Sequence, residues 1–439
     1  MRIFRPPFLK EFDPRWRRIA ATAAILVLLV CAFRAITRAT DGDFKLHWEF
    51  GRRFLAGEFL YAGGLHVPYP PFWAMAHAPL ALLPMPVAKT LLFPLGVAAL
   101  WLLLRLLRTL AGGVATRRPV GRPGLQFDAA FSLDAKRAFW VAALALMMAG
   151  RYVIRDLAEL GVNTALVALT WLAIYLWTQR RDFLAGTSLG FAIALKCTPA
   201  IFAAYFLWKR QWKMFAITSV AALLFTLAPI LWQGPSVYQN HMARWSANVG
   251  RGFGSVDPSV GVLGPEPLQN MALRPSLARY LMHLPPEHPG RAPHPLYFDF
   301  LNLSPVVAGW VINASLLALL AVFLWWSRRA VASRQDSRLL WEFAGLGILM
   351  LLFSPITWGQ HCVAVLPACY FIAALFLARG RLPRWMLALL LAYILFVPIL
   401  SRDVVGHNLA LLLGSYHLET FTIIGLLAVV MGCARWQRT

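Results

Sequence analysis

Five short stretches concentrate the residue types that handle protons and phosphate. "DGDFKLHWEFGRR" (41–53) gathers Asp41, Asp43, Glu49 and His47 with an Arg pair. "RYVIRDLAELGVN" (151–163) holds Arg155, a cation able to grip a phosphate, and Asn163. "ALKCTPA" (194–200) sets Lys196 among apolar residues, where an ammonium needs an anionic partner or a water-filled cavity. "FSPITWGQHCVAVLPA" (353–368) puts Trp358, Gln360 and His361 in a tight turn, and His361 there could hold phosphate or pass a proton. "VPYPPFW" (67–73) is a rigid proline turn in which Tyr69 could line a site. Each has a plainer reading: Asp43 as a helix N-cap, Arg155–Glu159 as an i,i+4 pair, Lys196 snorkelling, Phe72 and Trp73 as interface anchors, His361 as a packed ring.

The elements that must carry these residues are membrane helices. The 439 residues are 59% hydrophobic with mean hydropathy +0.61. Runs such as "IAATAAILVLLVCAF" match a hydrocarbon core of about 30 Å, and a backbone inside lipid must satisfy itself as helix. The alternation of a membrane barrel is absent. Spans are predicted at 19–37, 87–107, 138–154, 160–178, 183–195, 198–208, 213–232, 305–327, 339–355, 361–379, 384–400 and 418–434. The expected fold class is therefore all-α, one polytopic domain over 1–439 with about twelve transmembrane helices (roughly ten to thirteen). Residues 71–84, bracketed by Pro70, Pro71 and Pro84, read as re-entrant.

The net charge of +23 would suggest nucleic acid in a soluble chain. Here about 27 of the 42 Lys and Arg fall in alternate short loops, as the positive-inside rule demands, so no nucleic-acid partner is expected. That bias places both termini in the cytoplasm. It places the polar stretches 38–71, 155–163, 233–304 and 354–361 together on the outer face. Segment 38–86 becomes a first outer loop with an amphipathic interfacial helix, and its face of Phe44, His47, Trp48, Gly51, Phe54 and Leu55 ends at Gly57. Segment 233–304 becomes a large outer loop carrying Arg244 and, in "LQNMALRPSLARYL", Asn270 and a helix able to close over a pocket. The five Cys form no CxxC pair, and the N-terminus reads as an uncleaved first helix. A P-loop and a GxGxxG motif are absent, so a cytoplasmic nucleotide is not expected.

In chain order, "DF…GRRFLAGEFLY", "YPPF…APLALLP", "GVN…RRDFLAGTSLGFAIALKCTPAIF" and "SPITWGQH…LPA" resemble glycosyltransferase family 87, over roughly 43–215 and 340–368. The resemblance implies a GT-C architecture and a hexosyltransferase, mannose being the expected sugar. The donor would be a polyprenyl-phosphate sugar and the acceptor a lipid or glycan of the cell envelope, at the outer face of the cytoplasmic membrane. It also implies that Asp43, the acidic residue of the first outer loop, is the general base of an inverting displacement, with His361 beside it. Arg155, Lys196 and Arg244 would meet the donor phosphate, and His47, Tyr69, Asn163, Asn270, Trp358 and Gln360 would line the site. Cofactor and metal are expected to be none. Two departures stand out: the family's W-x-H-H is WGQH here, and its GQxN is LGVN. Two other functions compete, a flippase of a lipid-linked sugar, with Glu342 as its main intramembrane carboxylate, and a non-catalytic assembly subunit.

Overall fold

The computed structural model describes residues 14–38, 42–64, 67–112, 135–254, 257–292, 295–297 and 299–437. Asp41 and most of the Pro/Gly/Arg linker 112–124 lie outside these residues. The chain opens with α1 (Pro14–Thr37), α2 (Gly42–Ala56), α3 (Pro71–Ala81), α4 (Met85–Leu110) and α5 (Ala135–Ala158). It continues with α6 (Asn163–Thr178), α7 (Asp182–Leu195), α8 (Ala200–Trp208), α9 (Trp212–Leu227), α10 (Ile230–Gln233), α11 (Pro235–Gly254) and α12 (Leu273–Leu281). The last third holds α13 (Pro305–Trp326), α14 (Arg338–Phe353), α15 (Leu366–Arg379), α16 (Arg384–Ile394), α17 (Arg402–Val405), α18 (His407–Gly414) and α19 (Leu418–Trp436). A 3-10 turn, Gly359–Val365, precedes α15. A two-stranded hairpin, Val260–Gly261 with Gly264–Pro265, is a small exception to the all-α expectation.

Local sequence sets the boundaries. Pro stands in the first turn of α3, α4, α13 and α15, where its missing N–H costs nothing. Ser304 caps α13, and Gly380 ends α15 in the left-handed conformation. Residues Leu366 to Leu375 of α15 are buried on every side, which marks it as the central helix.

Every predicted span coincides with a helix, but among the described residues seven helices are long and apolar enough to cross a membrane: Arg18–Thr37, Met85–Leu110, Arg137–Ala158, Trp212–Gln233, Pro305–Trp326, Gly359–Arg379 and Leu418–Trp436. Asn163–Thr178, Asp182–Leu195 and Arg384–Ile399 are shorter apolar helices. Helix α14 carries Arg338 and Glu342, and α8 has nine residues. The shortfall has a cause in the α7/α8 pair. Asp182 pairs with Arg334, while Lys209 donates to the carbonyls of Ser327 and Arg329, so both outer ends of the pair lie at one end of the bundle. The pair is a hairpin, and its apex, Lys196–Pro199, lies at the other end. Helix α3, with 11 residues, is about 16 Å long.

The end holding Asp182 is locked by ions. Glu342 is fully buried and pairs with Lys209 at 2.7 Å and Arg338 at 2.9 Å, and the Tyr205 hydroxyl donates to it. These partners tie α8 to α14.

Helices α2 and α3 touch backbone to backbone. A Cβ on Gly51 would lie 2.6 Å from the His77 carbonyl oxygen and 2.8 Å from its carbon. Gly51→Ala must therefore separate the helices, and it is expected to cost about 1–3 kcal/mol. A thermal melt of the detergent-purified variant checks this, and an unchanged Tm would refute the contact.

Candidate active site

Helix α2 begins at Gly42, so Asp43 lies inside its first turn and is not the N-cap that the spacing suggested. The residues of α2 that bury are Phe44, His47, Phe50, Gly51 and Phe54. Phe50 replaces Trp48 and Leu55 of the expected face, because the indole of Trp48 reaches sideways to donate to the Leu83 carbonyl at 3.1 Å. On the other side, Arg52 and Arg53 both hold Glu49, at 2.9 and 3.1 Å. Their hydrogen bonds keep its carboxyl below the usual range. Glu49 is thereby spent, and Asp43 is left as the carboxylate of α2 without a salt bridge among the described residues.

Asp43 accepts a hydrogen bond from Gln360 Nε2 at 2.8 Å. Burial pushes its carboxyl above the ordinary aspartate value, the Gln360 bond opposes that, Glu159 adds to it, and the charges of Lys196 and Arg155 oppose it. Glu159 is held by Arg38 at 2.6 Å, which replaces the Arg155–Glu159 pair expected from sequence. Gln360 is 2% exposed, and its Oε1 has no partner among the described residues.

The turn carrying Gln360 is fixed from the large loop. Asn270 Nδ2 donates to Pro355 O at 3.0 Å and Glu266 Oε2 at 2.8 Å, and its Oδ1 accepts from Thr357 N at 2.9 Å and Ala272 N at 3.1 Å. All four hydrogen-bonding positions of Asn270 are used, so it staples the turn and does not line the site as sequence reading expected. Met271 N donates to Thr357 O at 2.6 Å, which joins the start of α12 to the same turn. Burial raises the carboxyl of Glu266, the outer partner of this staple, to about 7. Within the turn, His361 Nδ1 lies 3.2 Å from both Trp358 N and Ile356 O, and its ring stacks with Trp358 at 6.4 Å.

Lys196, at the hairpin apex, finds the anionic partner that sequence required through a relay. Its Nζ donates to Asn163 Oδ1 at 3.0 Å, and Asn163 Nδ2 donates to Asp156 Oδ1 at 2.8 Å. Asp156 Oδ2 accepts from Thr164 N at 2.8 Å and Thr164 Oγ1 at 2.7 Å. Asp156 is fully buried. The sequence marks it only as one carboxylate of the polar stretch 155–163, between two predicted spans. Tyr69 faces Lys196 with its ring centroid 6.0 Å from Nζ, and it stacks on Trp73 at 4.2 Å. His47 lies behind them, 2% exposed, its Nδ1 accepting from Trp73 Nε1 at 3.2 Å. It supports the wall without reaching its surface.

Two hollows flank the Gly359–His361 turn. One is an apolar cleft between α6, α8 and α14, with Lys196, Asn163, Ser354 and His361 at its polar end and Trp171, Phe202 and Leu351 along its length. The other is a cavity of about 260 Å³ with mixed polar and apolar walls that includes Arg155 and Gly359. Arg155 therefore stands on the opposite side of the turn from Lys196, against Gly359, whose added Cβ would lie 3.1 Å from its guanidinium. Arg244 is on α11, and no described contact joins it to these groups. Among the described residues no three His, Cys, Asp or Glu side chains group closely enough to hold a metal ion.

The profile of glycosyltransferase family 87 matches residues 67–355, well over half of the chain. A polyprenol-phosphate-mannose-dependent alpha-(1-2)-phosphatidylinositol mannoside mannosyltransferase of Mycolicibacterium smegmatis is 28% identical over 367 residues, 79% of this chain and 72% of that protein. Its namesake in Mycobacterium tuberculosis is 26% identical over 367 residues, 79% of this chain and 73% of that protein. Among solved structures, ArnT from Cupriavidus metallidurans in the apo state is 15% identical, with 97% of this chain and 78% of that chain covered and a TM-score of 0.37. The extent of the family match, on a chain whose helices are built for a membrane, settles its membership: the protein belongs to glycosyltransferase family 87 and is a membrane-embedded glycosyltransferase.

Proposed function

We propose that the protein transfers mannose from a polyprenyl-phosphate donor to a phosphatidylinositol mannoside-type lipid at the outer face of the cytoplasmic membrane, with both termini in the cytoplasm. The observation that carries this reading is a half-buried, unpaired carboxylate, Asp43, held by Gln360 within reach of the Lys196 charge at the end of an apolar cleft. The cleft encloses only about 30 Å³ and must widen to admit an isoprenoid tail, but its apolar lining suits one, and Lys196, directed by Asn163, and His361 make the polar end where the phosphate would sit. The activities for which the mycobacterial relatives are named support both the donor and the acceptor class.

Asp43 takes the proton of the acceptor hydroxyl as that oxygen attacks the anomeric carbon. The bond to the phosphate oxygen breaks on the opposite side, and the fixed Lys196 charge meets the negative charge that develops there. One displacement inverts the centre, so a β-linked donor gives an α-linked product. Arg244 is the remaining candidate of the large loop for the donor phosphate.

The test is reconstitution of the purified protein in vesicles with polyprenyl-phosphate-mannose and phosphatidylinositol mannoside. Mannosylated lipid and polyprenyl phosphate should appear in equal amounts. Transfer from a glucose- or arabinose-linked donor in place of mannose would overturn the sugar assignment. Turnover that persists without the lipid acceptor would overturn the acceptor class.

A further inference from the structure

The cavity of about 260 Å³ beside the turn is not absorbed by the donor. We infer that it seats the acceptor through an anionic phosphodiester headgroup, gripped by Arg402 and Arg155. This assignment rests on the transferase reading above and adds to it where the acceptor is recognised.

The walls carry three guanidiniums, from Arg151, Arg155 and Arg402, with His407 exposed at the rim. Arg151 is already neutralised, since it pairs with Glu419 at 2.6 Å and donates to Val397 O at 2.9 Å. Arg155 and Arg402 have no side-chain hydrogen bond or ion pair among the described residues. Two unpaired guanidiniums lining one cavity of about 260 Å³ supply the positive charge and N–H donors that a phosphate accepts.

One feature favours the acceptor over the donor. Arg155 lies against Gly359, next to the residue that holds Asp43, so a headgroup anchored there presents its sugar hydroxyls to the Asp43 carboxylate. The donor phosphate is assigned to the other hollow, at Lys196.

Binding is measured apart from turnover. Glycerophosphoinositol, a soluble phosphodiester headgroup, is titrated calorimetrically into the full chain in phosphatidylcholine nanodiscs. Arg402→Gln is expected to weaken binding about tenfold or more, and Lys196→Gln to leave it within about twofold. In the transfer assay, Arg402→Gln should raise KM for phosphatidylinositol mannoside by a similar factor. It should leave KM for the donor unchanged and match wild type with octyl mannoside, an uncharged acceptor. Equal headgroup binding by wild type and Arg402→Gln overturns the inference. So does a loss that falls on the donor KM, or one that is as large with octyl mannoside. A headgroup that binds through Arg402 in a protein transferring no mannose would keep the anion site and discard the transferase reading, so the two failures differ.

Discussion

Asp43→Asn is expected to lower kcat for mannose transfer by about 10²–10⁴-fold, with the donor KM within about twofold of wild type. The substitution is nearly isosteric, and Asn Oδ1 can still accept the Gln360 Nε2 bond that Asp43 accepts at 2.8 Å. What disappears is the ability to take a proton. A matching Tm for the two proteins would assign the loss to chemistry, and a variant within tenfold of wild type would remove Asp43 as the base. The pH profile provides an independent check. Burial raises the Asp43 carboxyl above the ordinary aspartate value. A base works deprotonated, so kcat should fall as pH is lowered through that raised value, at a higher pH than for an exposed aspartate. Gln360→Leu removes a hydrogen bond that favours the ionised form. The acid limb should then move to still higher pH while maximal kcat at alkaline pH is largely kept.

Lys196→Gln should lower kcat by about 10²–10³-fold, the effect of deleting one fixed partner of a developing negative charge. Glutamine can still donate to Asn163, so the hairpin apex has a reason to stay in place and Tm should change little. Asp156→Ala separates positioning from charge. It strands Asn163 Nδ2, Thr164 N and Thr164 Oγ1 at a fully buried position. Each lost partner costs about 1–3 kcal/mol, so this variant should lose stability as well as activity. Loss of Tm in Asp156→Ala with none in Lys196→Gln is the expected pattern. Equal activity of Lys196→Gln and wild type would place the donor phosphate elsewhere.

The departure of WGQH from the family pattern gains a physical meaning in this geometry. A histidine at position 360 could carry charge to Asp43, whereas Gln360 can only hydrogen-bond to it. The carboxylate here is oriented by a neutral amide, and its compensating charge comes from Lys196 and Arg155, which belong to other segments.

The sequence by itself determined the class of the protein and where its ionisable groups concentrate. Apolar run length, proline position and charge bias are local quantities, and they yielded helices at every predicted span. The same local signals separated the short proline-bracketed α3 from the spans and put Lys196 at a helix break. Family motifs pointed to Asp43. Tertiary structure decided which ionisable groups remain available. Glu49 and Asp43 are indistinguishable by composition, yet Glu49 is claimed by Arg52 and Arg53 from its own helix, while Asp43 meets a partner 317 residues away. Asn270 looked like a site residue, but two of its hydrogen bonds go to the turn at 355–358 and the other two to Glu266 and Ala272 of its own loop. Arg155 and Lys196 looked like one phosphate clamp, and the chain placed the Gly359–His361 turn between them. Asp156 drew no notice because its importance lies in a relay through Asn163 to a lysine 40 residues on. Such pairings depend on which helix ends meet. No periodicity or spacing encodes that, because it is fixed by the packing of the whole bundle around α15.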